Sequence, residues 1–446
     1  MTAHPLLARI EQAEFARPYG YVRKVASGLV EATGPANALG ELCEIECTPD
    51  AETGVASRIL AEVAAVDDRR VVLVPLEQHG HIRPEAKVVA RALRDRVPVG
   101  DAFAGRAVDA LGRPIDGRGD ILATAHMPIT GSVPKPMERA NPSRILPTGL
   151  RAIDGLLTLG EGQRVGVFAA SGVGKTSLME QLAAQIQCDR CILCLVGERG
   201  REVEGVWRSL SERDDADRYT IVAATSDESA ALRARSVNYA LCLADHWRAQ
   251  GEHVLLMVDS VTRIAMALRE IGLAAGAPPT VRAYTPNVFA ALPRLVERCG
   301  ATRSGGSITA IMTVLSETDD VDDPIVELMK SLLDGHIVLS RALAEQGHFP
   351  AIDVTRSVSR SVEQLVSSDQ SRAMRDTVAM LGAYEEARVM IESGVYKSGT
   401  NAVVDRAIAA RGEINAFLRQ AKQENAPFDG TVRALRGITD KGTARA

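Results

Sequence analysis

The segment Arg164-Val-Gly-Val-Phe-Ala-Ala-Ser-Gly172-Val-Gly174-Lys175-Thr176 joins an apolar run to a loop of small residues, then to a helical pattern through Leu178, Leu182 and Ile186. That order is what phosphate binding needs. Glycines at 172 and 174 let backbone N–H groups converge on phosphate oxygens, and the helix that follows presents its positive end to them. Lys175 is placed to reach the terminal phosphates of a nucleotide, and the Thr176 hydroxyl to ligate magnesium. Ala170, Ser171, Val173 and Ser177 complete the cradle. The general pattern G-x-x-x-x-G-K-[ST] has Ala169 at its first glycine, a departure that a small side chain accommodates.

Hydrolysis asks for two further carboxylates. Magnesium on a nucleotide takes a second anchor at the end of a neighbouring buried strand, and His253-Val-Leu-Leu-Met-Val-Asp259 supplies Asp259. The competing role for Asp259 is to cap the helix that follows it. A second apolar run, Cys191 to Val196, ends in Gly197-Glu198-Arg199-Gly200-Arg201-Glu202. Glu198 therefore leaves a buried strand where it could orient and polarise an attacking water, unless it is a surface residue of a charged loop.

These residues need strands to hold them. From Arg164 onward, apolar runs at Val165–Phe168, Cys191–Val196, Thr220–Ala224, Val254–Val258, Ile308–Leu315 and Ile337–Leu339 alternate with helical patterns. Such alternation predicts a largely parallel sheet with helices on both faces. Residues 20 to about 92 carry short β-branched runs such as Val71–Val74, broken at Gly34-Pro35 and Gly80, as in a small β-barrel or sandwich. Prolines 128, 134, 136, 142 and 147 mark an extended connector. Beyond Arg360 the strand signals stop, and helical spacing covers Ala373–Ser393 and Asn401–Gln423. At the other end, Leu6, Leu7, Ile10, Ala13 and Phe15 give one apolar face of a short helix, packed on its own domain or docked on a partner or membrane surface.

Composition narrows the function. The 446 residues suffice for about three domains, and 57 acidic against 52 basic side chains give a net charge of −5. No positive excess exists to hold a nucleic-acid backbone, and two tryptophans, Trp207 and Trp247, leave few stacking platforms for bases. No apolar run reaches 18 residues and no secretory leader pattern opens the sequence, so a cytoplasmic protein is expected. Cys188, Cys191 and Cys194 have a spacing reminiscent of cluster ligands, but the run they sit in reads as a buried strand.

Taken in order, these motifs resemble the rotary-type hexameric ATPases, most closely the export ATPases of flagellar and type III secretion systems. Gly105-Arg-Ala-Val-Asp-Ala-Leu-Gly-Arg-Pro-Ile-Asp-Gly117, Ala170–Thr176, Gly197–Val203, Asp259–Ala267, Asp334–Arg341 and His348–Asp353 carry the likeness. Ala170 stands where these relatives usually have glycine, and Thr176 replaces a frequent serine. The resemblance implies an α/β core of RecA-like P-loop type with an N-terminal small β-barrel and a C-terminal helical domain. The boundaries it implies are an N-terminal helix at 1–19, a barrel at 20–95, the ATPase domain at 96–365 and the helical domain at 366–446.

It further implies Glu198 as the catalytic glutamate, Arg199 as a neighbour touching the nucleotide region, and Arg360 of Ser357-Val-Ser-Arg360 as an arginine finger delivered from an adjacent subunit. Phe349 would lie against the adenine, with a place in the core as its alternative. ATP and Mg2+ are the implied ligands. The implied assembly is a homohexamer beside a stator-like regulator, a central stalk protein, an export gate membrane protein and chaperone–substrate complexes, at the inner membrane face. Gly28–Gly34, Val74–Glu77 and Ile82–Pro84 are more similar to the flagellar branch than to the injectisome branch. The rival readings are the catalytic subunit of a rotary ATPase and an RNA translocase.

Overall fold

The computed structural model describes residues 17–26, 28–35, 38–48, 57–67, 70–77, 82–91, 96–316 and 323–444. The helix expected at 1–19 lies outside them up to residue 16; Tyr19 already begins a strand.

Six strands, Tyr19–Ala26, Leu29–Ala32, Leu42–Glu46, Arg58–Asp67, Arg70–Pro75 and Lys87–Ala90, close into an antiparallel barrel. The alternation along them explains the closure: Val22, Val30, Ile45, Val63, Leu73 and Val88 turn inward and fill the interior, while their neighbours face out. On the outside, Leu42, Val74 and Leu76 pack against Ala110, Ala231 and Leu232 of the next domain. Arg113 reinforces this seam, with Nη1 2.7 Å from Glu77 and Nε 2.6 Å from Asp109.

The central sheet runs, in spatial order, through Ile352–Ser359, Gly335–Leu339, Arg164–Ala169, Ser307–Leu315, His253–Asp259, Arg190–Val196, Tyr219–Ala224 and Ala107–Asp109. Every pairing from Gly335–Leu339 to Ala107–Asp109 is parallel. Both faces are covered, which is why the strands read as unbroken apolar runs. Cys191 belongs to the apolar cluster on one face and Cys194 to that on the other. Opposite faces cannot share one metal ion, and burial pushes the Cys194 thiol up to about 12. All six runs named from sequence are strands. The edge strand Ile352–Ser359 escaped that reading because its buried and exposed positions do not make a continuous run.

The proline-rich connector is stitched to the core by short strand pairs, Ala125–Pro128 with Arg96–Val99, Arg139–Ala140 with Gly300–Thr302, and Ile145–Leu146 with Leu159–Gly160. The C-terminal region is three helices, Ser368–Glu392, Ala402–Leu418 and Phe428–Ala444. The second was expected to reach Gln423 but ends at Leu418. Arg151 explains the stop: its Nε donates to the Phe417 carbonyl at 2.8 Å and its Nη2 to the Arg419 carbonyl at 2.5 Å, drawing the chain out of the helix.

Candidate active site

The sheet brings the chemistry together at the carboxyl ends of its strands. Arg164–Ala169 gives way to the loop 170–174, and Gly174 caps the helix Lys175–Gln185 in a left-handed conformation, φ 90°. Gly172 has φ 80°. These two positions demand the backbone freedom of glycine, whereas Ala169 and Ala170 are buried with room for a methyl group.

Lys175 Nζ stands 2.5 Å from Asp259 Oδ1 and 4.0 Å from Glu198 Oε1. Asp259 is nearly buried and also accepts a 2.7 Å hydrogen bond from Thr313 Oγ1. It does not cap the next helix; Ser260 does, its Oγ accepting from the Arg263 N–H at 3.4 Å. Glu198 is half-buried, paired with Arg263 Nη1 at 2.5 Å. Burial, a hydrogen bond shared with Glu202 and the nearby Asp259 raise its pKa against the opposing pull of Arg263. A carboxyl so placed holds a proton more readily than a solvated one, as a group that must receive a proton from water requires.

Phe349 is 46 % exposed, which disposes of the core alternative. Its ring edge lies over the loop, where a Cβ on Gly174 would meet Cε1 at 3.4 Å. A cavity of about 350 Å³ opens beside it, walled by Ser177, Gln181, Gln420, Ala421 and Lys422. Gln420 is buried and fully engaged: its N–H donates to the Phe349 carbonyl at 2.9 Å, its Oε1 accepts from Arg151 N–H at 2.9 Å, and its Nε2 donates to the Gly149 carbonyl at 2.6 Å.

Two residues named from sequence stand apart. Arg199 is exposed at the start of the helix Gly200–Ser211. Arg360 follows the edge strand at the opposite end of the sheet, since Ser359 pairs with Gly335 and Gly335 with Val165. From Val165 to Ala169 is about 13 Å of strand, before the loop begins.

Comparison with known proteins gives this geometry its context. Residues 149–359 match the ATP synthase alpha/beta family, nucleotide-binding domain, and residues 366–437 the T3SS EscN ATPase C-terminal domain. The flagellum-specific ATP synthase of Treponema pallidum is 41% identical over 436 residues, 98% of this chain and 96% of the relative. The type 3 secretion system ATPase of Xanthomonas euvesicatoria is 41% identical over 441 residues, 98% of each. The chain belongs to the flagellar and type III secretion ATPase family. Among solved structures it resembles the assembled ATPase EscN of the enteropathogenic E. coli type III secretion system, with a TM-score of 0.88 and 36% identity over 94% of this chain and 99% of that one. EscN in complex with its central stalk EscO matches with a TM-score of 0.83 at 35% identity over the same 94% and 99%.

As a type III export ATPase, this chain binds and hydrolyses ATP, with no helix among the described residues long and apolar enough to cross a membrane. The C-terminal match separates it from the rotary ATPase reading. Arg263, Thr313 and Gln420 were assigned no role from sequence. Thr313 had a visible signal, a hydroxyl inside the apolar run Ile308–Leu315. Arg263 lies within the motif Asp259–Ala267 but was given no role there, and Gln420 had no local signal, because their partners Glu198 and Gly149 are far away in the chain.

Proposed function

We propose that the chain forms a homohexameric ring whose sites lie between subunits, hydrolysing Mg2+-ATP to drive flagellar-type protein export. The supporting observation is the split just described: Lys175, Glu198 and Asp259 converge at one end of the sheet while Arg360 is exposed at the other. A ring of identical copies can set the Arg360 end of one chain against the loop of the next, completing every site.

In that site the backbone of 170–174 and Lys175 bind the phosphates, Phe349 and the cavity beside it hold the base, and Glu198 orients a water and takes its proton. Arg360 of the adjacent copy meets the charge that develops on the transferred phosphoryl. Thr176 and Asp259 present hard oxygen donors that fit Mg2+, which would neutralise charge on the phosphate oxygens. Lys175, now on Asp259, has the phosphates as its alternative partner, which frees the carboxylate. For Arg199, exposed and next in sequence to Glu198, a contact with the nucleotide region rests on the family resemblance alone. ATP turnover then releases export substrates from their chaperones and promotes unfolding, at the inner membrane face with a stator-like regulator, an export gate membrane protein and a central stalk of the kind EscN binds.

The deciding experiment mixes two inactive variants. Arg360→Ala should lose about 10³-fold or more in kcat, the usual cost of a missing arginine finger, and mixtures with Lys175→Ala should regain turnover as hybrid interfaces form. Mixtures as inactive as their components overturn the shared site. The flagellar assignment rests on Gly28–Gly34, Val74–Glu77 and Ile82–Pro84; a deletion strain that keeps its filaments overturns that assignment alone.

A further inference from the structure

The strand ends around Arg360 hold an arrangement that the catalytic reading does not use. Gln163, immediately before the strand Arg164–Ala169, is completely buried. Its Oε1 accepts from the Gly160 N–H at 2.9 Å, and its Nε2 donates to Ser359 Oγ at 3.0 Å and to the Asp334 carbonyl at 3.4 Å. The Asp334 carbonyl also receives the backbone N–H of Arg360 at 2.9 Å. Ser359 Oγ in turn donates to the Thr158 carbonyl at 3.0 Å. Thr158 Oγ1 accepts from Gln370 Nε2 at 3.2 Å, so the chain of bonds continues into the helical domain. The fit leaves no slack: a Cβ on Gly335 would sit 2.7 Å from the Val358 carbonyl and 3.3 Å from Gln163 Nε2.

A buried amide with every hydrogen-bonding group used is costly to disturb, because each partner loses a hydrogen bond that water does not replace there. Here the amide spans the strand that carries the chain's own phosphate loop and the two residues that flank Arg360, Asp334 by contact and Ser359 by sequence. The side chain of Arg360 is exposed and donates through Nη2 to the Lys330 carbonyl at 3.2 Å, so the bonds around its backbone fix the point from which it projects.

We propose that Gln163, acting through Ser359 and the Asp334 carbonyl, is a positioning residue for Arg360, so that it serves the neighbouring copy's active site rather than its own. This rests on the reading of Arg360 as a finger acting in trans. Misplacing a catalytic group by about 1 Å can cost up to about 100-fold in rate, so a partial loss of this support should cost about 10-fold.

Two variants test it. Gln163→Glu keeps the acceptor for Gly160 and loses the donors to Ser359 and Asp334; Ser359→Ala removes only the hydroxyl. Each, as a homomeric ring, should lose about 10-fold in kcat with the KM for ATP unchanged within twofold. Each should then recover turnover when mixed with Lys175→Ala, because the variant contributes an intact phosphate loop and the Lys175→Ala copy an intact Arg360. If Arg360→Ala mixtures recover while Gln163→Glu and Ser359→Ala mixtures do not, the defect lies in the chain's own site and the proposal is wrong. Wild-type kcat in Ser359→Ala together with Gln163→Glu overturns it too. If even the Arg360→Ala mixtures fail, the trans reading falls and the positioning role falls with it. Should Gln163→Glu fail to fold by thermal melting, Ser359→Ala carries the test alone.

Discussion

The two ends of the strand Arg164–Ala169 are built differently. At the Ala169 end the charges are held in exchangeable pairs: Lys175 is shared between Asp259 at 2.5 Å and Glu198 at 4.0 Å, and Glu198 also leans on Arg263. At the Arg164 end the charges are saturated. Arg164 meets both carboxylate oxygens of Asp334 at 2.9 Å and Glu297 at 3.1 Å, while its backbone N–H adds a further bond to Asp334 at 3.0 Å. A nucleotide site needs partners that a ligand can replace. The finger role proposed for Arg360 would instead need supporting partners that nothing replaces.

This contrast can be broken most severely at Lys175. Lys175→Ala should abolish turnover, by about 10³-fold or more, since the developing phosphoryl charge loses its nearest cation; wild-type turnover in a steady-state assay would refute the phosphate-loop assignment. Glu198→Gln should cost about 10²–10⁴-fold in kcat, the range for a lost proton acceptor, while nucleotide binding measured by fluorescence titration persists. Because the Glu198 pKa is raised and the ionised form is the active one, wild-type rates should fall with decreasing pH before an ordinary glutamate, near 4.3, would protonate. An acid limb that survives unchanged in Glu198→Gln assigns the proton elsewhere. The smallest effect belongs to Phe349→Ala. Stacking against a base is worth about 1–3 kcal/mol, so the KM for ATP should rise about 10-fold with kcat little altered; an unchanged KM places the base elsewhere.

Much of this was legible in the sequence, unevenly. The parallel strands announced themselves because a sheet covered on both faces needs apolar residues at every position, as in Ile192 to Val196. Lys175 and Thr176 were visible through local spacing, and Asp259 through its place at a strand end. Phe349 and Arg360 were not; only the family likeness selected them, since an exposed phenylalanine and one arginine among many carry no local signature. Gln163 and Gln420 were invisible for a further reason. A buried amide is defined by what it joins, and theirs join residues nearly 200 and 271 positions apart, Gln163 to Ser359 and Gln420 to Gly149.

Gln420 has a mechanical consequence. Its backbone holds the Phe349 carbonyl while its side chain and Arg151 fasten the segment 417–424 to residues 149–151. The wall of the base cavity and the last turn of the helix Ala402–Leu418 are thus one rigid joint. A shift of the helix Ala402–Leu418 would therefore carry the cavity wall beside Phe349 with it, which gives the helical domain a mechanical route to that cavity.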